Sequence, residues 1–226
     1  MINSKLSNWS GEQLIIRADC PMLLAVFMSG YFPINIPIPA GRETARLRLE
    51  ALRPEHVELD YEAVMESRVQ LRLWGGTSWP VDSFTRADNL ADLQWHWGEH
   101  QARQAFTYTV LSPAADRCLG CVYLRPLDEL APANPSRLED VAPDVSLARF
   151  WIRSSLLASD LERHLLDTLI AWFAREWPFS RMFFETRAAN GRQAALFDAY
   201  PLSRAYRLVM PRRGGEHIFY DATAMQ

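Results

Sequence analysis

Residues 144–177, DVSLARFWIRSSLLASDLERHLLDTLIAWFAREW, run a strand straight into a helix across a short turn, and that junction limits the folds open to the chain. Val145 to Ile152 carry the apolar, aromatic and β-branched content of a strand buried on at least one face. After the turn SSLLASD, the residues Leu161, Leu165, Leu166, Leu169, Ile170, Trp172 and Phe173 recur at three- and four-residue spacing, a stripe wide enough to lie flat on a sheet. Pro178 stops that helix. Any site at the junction therefore faces a helix N-terminus with its free N–H donors.

A chain of 226 residues with 49% hydrophobic content can bury a full core, most economically as one domain with additions. The formal charge of -3, a pI near 6.0 and the lack of any basic run exclude a nucleic-acid-binding surface of the usual electrostatic kind. Three cysteines, an odd number, point to a reducing compartment with free thiols. Cys118 and Cys121 form a CxxC inside a strand-like stretch, where alternation puts residues three apart on opposite faces, so they are expected as unlinked core thiols. The apolar run at residues 20–32 lacks a basic start and is too short to span a membrane. A cytoplasmic protein without membrane or nucleic-acid partners is the expectation.

Along the chain, residues 46–52 alternate as a first strand, and Arg53-Pro54-Glu55 opens a helix to about Ser67. Residues 71–89, with two glycines and Pro80, read as a loop; a helix is expected over 90–104, a hairpin over 105–127 and an insertion loop over 128–144. Then come the junction, a strand (RMFFETRAAN), a helix (GRQAALFDAY) and two terminal strands. This order, with FWIR before the turn and Asn190 at the start of a short helix, resembles the GNAT superfamily of acetyl-CoA-dependent N-acetyltransferases. It is most similar to the branch that acetylates ribosomal-protein N-termini and related amines, from about Arg46 to about Tyr220. The resemblance implies an α/β fold, a mixed and mostly antiparallel sheet of six to seven strands with helices on both faces. It also implies an acetyl-CoA or other acyl-CoA cofactor held by Phe150, Trp151, Ile152, Ser159 and Asn190, and a small-molecule or peptide amine as acceptor. Residues 1–45 precede the resemblance and are expected as an arm packed on the domain or across the partner of a homodimer.

The chain departs from the family's phosphate-binding turn. The family places Arg or Gln, then Gly, then Gly or Ala at positions that fall near Leu157, Asp160 and Glu162. Asp160 and Glu162 bring negative charge to where a pyrophosphate would approach. Ser159-Asp160-Leu161-Glu162 also fits a capping box, so the turn reads either as a self-capped helix or as a divergent phosphate cradle. Asn190 likewise reads as a cofactor contact, as a helix N-cap, or as both. Where the family often carries a proton-donating Tyr this chain has Phe197, and Pro201-Leu202 stands for its Gly-Phe pair. Acid and base must then come from elsewhere, with Tyr123, Glu99, Glu185 and Tyr200 as candidates.

Two further clusters carry possible chemistry. Trp74 and Trp79 with Asp82 would suit a cationic amine by cation–π contact and charge, or else cap the core under the loop. His96-Trp97-Gly98-Glu99-His100 spells the inverted zinc-peptidase pattern, but Gly98 weakens the helix within it and no segment offers an evident third ligand, so a solvated helix face and no metal are expected. Two functions remain open on the sequence: an acyl-CoA-dependent N-acyltransferase with a divergent cofactor site, or a catalytically inactive relative that keeps the fold for binding or dimerisation.

Overall fold

The protein is described from a computed structural model that covers residues 31–127, 144–210 and 213–223. Residues 1–30 of the expected arm and 128–143 of the expected insertion lie outside the described residues. The elements in order are β1 (Gly41–Glu43), β2 (Arg48–Ala51), α1 (Val57–Glu66), α2 (Arg68–Gly75), α3 (Arg86–Gln101), β3 (Phe106–Leu111), β4 (Cys118–Pro126) and β5 (Val145–Ile152). They continue with α4 (Leu161–Glu176), β6 (Arg181–Arg187), α5 (Gly191–Asp198), β7 (Ser203–Met210) and β8 (Gly215–Asp221). The strands form one eight-stranded sheet in the order β1-β2-β3-β4-β5-β6-β8-β7, antiparallel throughout except where β5 lies parallel to β6. The expected mixed sheet is therefore present, with one strand more than expected, because Gly41–Glu43 pairs along β2.

Burial of both faces explains the long apolar runs of the central strands. On one face Ala148, Phe150 and Ile152 pack with Leu165, Leu166, Leu169, Trp172 and Phe173 of α4 and with Phe197 of α5. On the other, Trp151 joins Ala63, Val64, Leu71, Trp74 and Leu93 from the three N-terminal helices. Phe32, from the C-terminal end of the expected arm, is buried in the α4 core against Phe106 and Trp177.

Three local expectations need correction. Residues 68–75 are helical, where a loop was expected from residue 71; the glycine pair ends α2, with Gly76 at φ 70° as its left-handed cap. The next helix begins at Arg86, four residues before the expected start, because Thr85 accepts a hydrogen bond from the Asp88 N–H while Asp88 accepts from the Thr85 N–H and hydroxyl. Alternation along β4 is broken by a bulge in the β3–β4 ladder, where Val110 pairs with Gly120 but Leu111 with Cys118. Cys118 and Cys121 therefore share the α1–α3 face, against the expectation of opposite faces, and Cys121 donates to the buried Asp60. Both thiols are free and buried.

Candidate functional site

The parallel ladder between β5 and β6 runs only from Val145↔Arg181 to Ala148↔Phe184; beyond it the two strands part. The turn after β5 is fixed from below. Arg153 donates to the Cys118 carbonyl at 2.9 Å and to Glu66 at 2.8 Å, Ser154 N–H donates to Ser67 Oγ, and Ser155 N–H to Glu66. These bonds aim α4 so that its N-terminus lies beside that of α5 at the parting. A shallow groove of about 290 Å³ opens there, lined by Leu157, Ser159, Asp160, Glu162, Arg163, Arg192, Ala195 and Leu196.

The two acids of this groove do not stand as free charges. Asp160 is exposed and ion-paired to Arg46, with contacts of 3.1 and 2.5 Å, and that hydrogen-bonded guanidinium holds its carboxyl below the usual range. Glu162 is turned inward, 3% exposed, and paired with Arg192. The expected reciprocal capping box is absent: Glu162 does not reach back, while Ser159 Oγ accepts from the Leu161 N–H at 3.2 Å and donates to the Leu156 carbonyl at 2.6 Å. Asn190 is not a side-chain cap either; its Nδ2 donates to Gln193 Oε1 at 3.3 Å.

Gln193 fills the parting itself. Only 1% exposed, it donates from Nε2 to the Phe150 carbonyl at 3.0 Å and to Glu162 at 3.3 Å, and accepts from the Thr186 hydroxyl at 2.9 Å. Nothing in the sequence marked it beyond its place three residues after Asn190.

The opposite face of the parting carries a buried ionic cluster. Glu185 lies 3.3 Å from Arg149 Nε and 3.1 Å from Arg213, and bonds His217. Burial pushes the Glu185 carboxyl up, but Arg149, Arg213 and His217 outweigh it and hold the group far below the carboxylate range. Burial lowers Arg149 to about 9, helped by Arg213 and opposed by Glu185. Arg149 also lies 4.0 Å from the centre of the Trp74 ring and donates to the Trp74 carbonyl, while Arg187 donates to those of Leu73 and Gly214. The last turn of α2 is thus tied to β5 and β6 by two guanidinium groups. Above them the backbone at Gly76 touches that at Arg213 and Gly214, closely enough that a Cβ on Gly76 would lie 2.0 Å from the Arg213 carbonyl.

Of the expected acid and base candidates, Tyr123 sits across from Arg149 on this same face, its hydroxyl accepting from Trp151 Nε1 at 3.2 Å and held protonated by burial. Glu99 is bound to Arg125 and His96 further along. Tyr200 is elsewhere, on the α4 face, donating to Asp167 at 2.6 Å and pushed up to about 12 by burial and that carboxylate. Trp74 and Trp79 pack into the core beside the N-terminal helices, the second of the two readings: Trp74 is covered by Arg149, Trp79 Nε1 donates to Asp92, and Asp82 is held by Arg72. In the H-x-x-E-H segment, His96 bonds Glu99 and Thr107, whereas His100 turns into the core against Trp97, Phe106 and Tyr108. Among the described residues no three His, Cys, Asp or Glu side chains are grouped to hold a metal.

No family model and no curated protein matches the sequence. Solved structures do. RimL, a ribosomal L7/L12 α-N-protein acetyltransferase solved with coenzyme A, superposes with a TM-score of 0.60 at 16% identity over 81% of this chain and 96% of that one. The chain has the fold of the GNAT acetyltransferases. The ribosomal-protein-S5-alanine acetyltransferase of Vibrio fischeri matches with a TM-score of 0.61 at 14% identity, covering 81% of this chain and 96% of that one. The microcin C7 self-immunity acetyltransferase MccE, solved with acetyl-CoA and AMP, matches at 0.63 and 11% identity with the same coverage. On that fold, the groove between α4 and α5 lies at the open end of the sheet and the ionic cluster lies behind it.

Proposed function

We propose that the chain is an N-acyltransferase that takes an acetyl or other acyl group from acyl-CoA and passes it to the amine of a small molecule or peptide. The parting of β5 from β6, with the N-termini of α4 and α5 side by side at its mouth, is the observation that carries this reading. Neighbours of the same fold have been solved with coenzyme A or acetyl-CoA. The mouth suits a diphosphate: Arg163 and Arg192 line it, and the charges of Asp160 and Glu162 are offset by Arg46 and Arg192. Ser159 and the first turns of α4 and α5 supply polar and N–H groups there. The cofactor supplies an activated acyl thioester. Phe150, Trp151 and Ile152 form the rigid wall against which the arm bearing it would lie, and rigidity in that wall is what positioning an acyl group requires.

On the other face, Tyr123 lies across from Arg149 and burial keeps the proton on its hydroxyl, so it is the candidate we test as an acid. Glu185 serves as a fixed negative charge rather than as a base, since Arg149, Arg213 and the bond to His217 hold its carboxyl far below the usual range and leave it little affinity for a proton. The buried free thiols agree with a cytoplasmic setting, and no helix among the described residues is long and apolar enough to cross a membrane.

Phe197 favours the second reading, a non-catalytic module. It is buried among Phe150, Phe184 and Tyr220 and offers no proton. Incubation with acetyl-CoA and a panel of amines and N-terminal peptides, followed by thiol release and product mass, separates the two. Transfer that drops at least tenfold in Tyr123→Phe supports the enzyme; no transfer and no calorimetric binding of CoA at millimolar concentration leaves the non-catalytic module.

A further inference from the structure

We infer that Gln193 is a gate in the acyl-CoA cleft: its side-chain amide occupies the space between β5 and β6 that the amide-bearing arm of the cofactor must take, and binding requires it to swing out. This rests on the acyl-CoA reading above. The Phe150 carbonyl, Ser159 and Asn190 are where the fold would grip the cofactor, and the structure shows how two of these are already engaged by one residue. Gln193 donates to the Phe150 carbonyl and accepts from Asn190 Nδ2, while its remaining capacity is taken by Glu162 and Thr186. An arm that carries its own amides would offer the same donor to the Phe150 carbonyl and the same acceptor to Asn190, while the displaced Gln193 gives up its bonds to Glu162 and Thr186, which is the cost of opening.

The location also favours a gate over a fixed strut. Gln193 lies in the first turn of α5, next to Arg192, whose guanidinium lines the open groove and binds the same Glu162. A phosphate drawing Arg192 outward would therefore loosen the carboxylate that Gln193 leans on. Mouth and throat are mechanically joined through Glu162. The joint makes occupation of the mouth the event that frees the throat, and it predicts that the unaltered chain binds CoA weakly because part of the binding free energy goes into displacement.

The test uses Gln193→Ser, which is too short to reach the Phe150 carbonyl, and Gln193→Glu, whose carboxylate cannot donate to it and faces Glu162. Coenzyme A is titrated by calorimetry into the full-length chain and both variants, with circular dichroism confirming the fold. In parallel, the side-chain amide protons of Gln193 are followed by NMR through hydrogen exchange. The gate requires Gln193→Ser to bind CoA at least tenfold more tightly than the unaltered chain, Gln193→Glu to bind it more tightly as well, and the protected Gln193 amide to lose protection as CoA is added. Equal affinity for all three proteins would overturn the gate and leave the cofactor reading standing. Folded variants that, like the unaltered chain, bind no CoA at millimolar concentration would overturn both. An amide that exchanges freely without CoA would overturn the gate by itself.

Discussion

Changing Glu185 to Gln tests the ionic cluster behind the cleft more directly than any other single substitution. The side chain is fully buried, and its carboxylate is shared by Arg149, Arg213 and His217. The amide has nearly the same shape but leaves Arg149 and Arg213 facing each other in a site with little water. Removing one partner of a buried ion pair costs about 3–5 kcal/mol, because the stranded charge keeps its desolvation penalty. For a chain of this length each kcal/mol moves the midpoint by about 2–4 °C, so thermal unfolding should shift down by about 6–20 °C. Glu185 is held below its ordinary 4.5, so its contribution is complete above that pH and is lost as pH falls toward the depressed folded value. Hence the gap between the two proteins should narrow in acid. Adding Arg149→Met to Glu185→Gln removes the stranded cation, and the double variant should recover at least about 1 kcal/mol relative to additivity. A single variant within about 2 °C of the unaltered chain, or strict additivity in the cycle, would refute the claim that these charges hold the site.

Two further outcomes follow from other parts of the molecule. Burial, helped by Arg53 and Arg103, lowers His100 to about 4 from an ordinary 6.5, so the unfolded chain takes up its proton first. Stability should therefore fall between pH 6.5 and 4 by at most about 3 kcal/mol and level off below, and His100→Phe should flatten that slope in urea titrations at stepped pH. Gly76→Ala, at φ 70° with its Cβ against the Arg213 carbonyl, should cost about 2 kcal/mol or more, whereas Gly98→Ala, in mid-helix with open space around it, should gain up to about 1 kcal/mol in the same assay.

The strand-to-helix junction was legible because its periodicities are strong and its stop signal is a proline, and the order of the elements around it carried the fold. What escaped the sequence depended on contacts between distant segments. Glu162 looked like a surface charge one step into a helix, yet α5 brings Arg192 and Gln193 to it from 30 and 31 positions along the chain. Unbroken alternation would split the CxxC pair between the faces, and a bulge leaves no mark in composition. A signal for the ionic cluster was present: Arg149 is the one charge in β5 and Glu185 the one acid in β6, next to the apolar Met182-Phe183-Phe184, and such residues are almost never buried unless paired. Gln193 gave no comparable sign, since a glutamine in the first turn of a short helix is ordinary.

The four-residue seam between β5 and β6 has a consequence for how the molecule yields. A sheet joined at its middle by so short a ladder is two leaves on a hinge, one ending at β5 and the other made of β6, β8 and β7. Beyond the ladder, the leaves are joined through side chains: the shared core of Phe150, Phe184 and Phe197 with Gln193 on one side, and Arg149 with Glu185 on the other. Under tension or near the melting point, the C-terminal leaf should peel away as a unit while the long antiparallel ladders on either side stay closed.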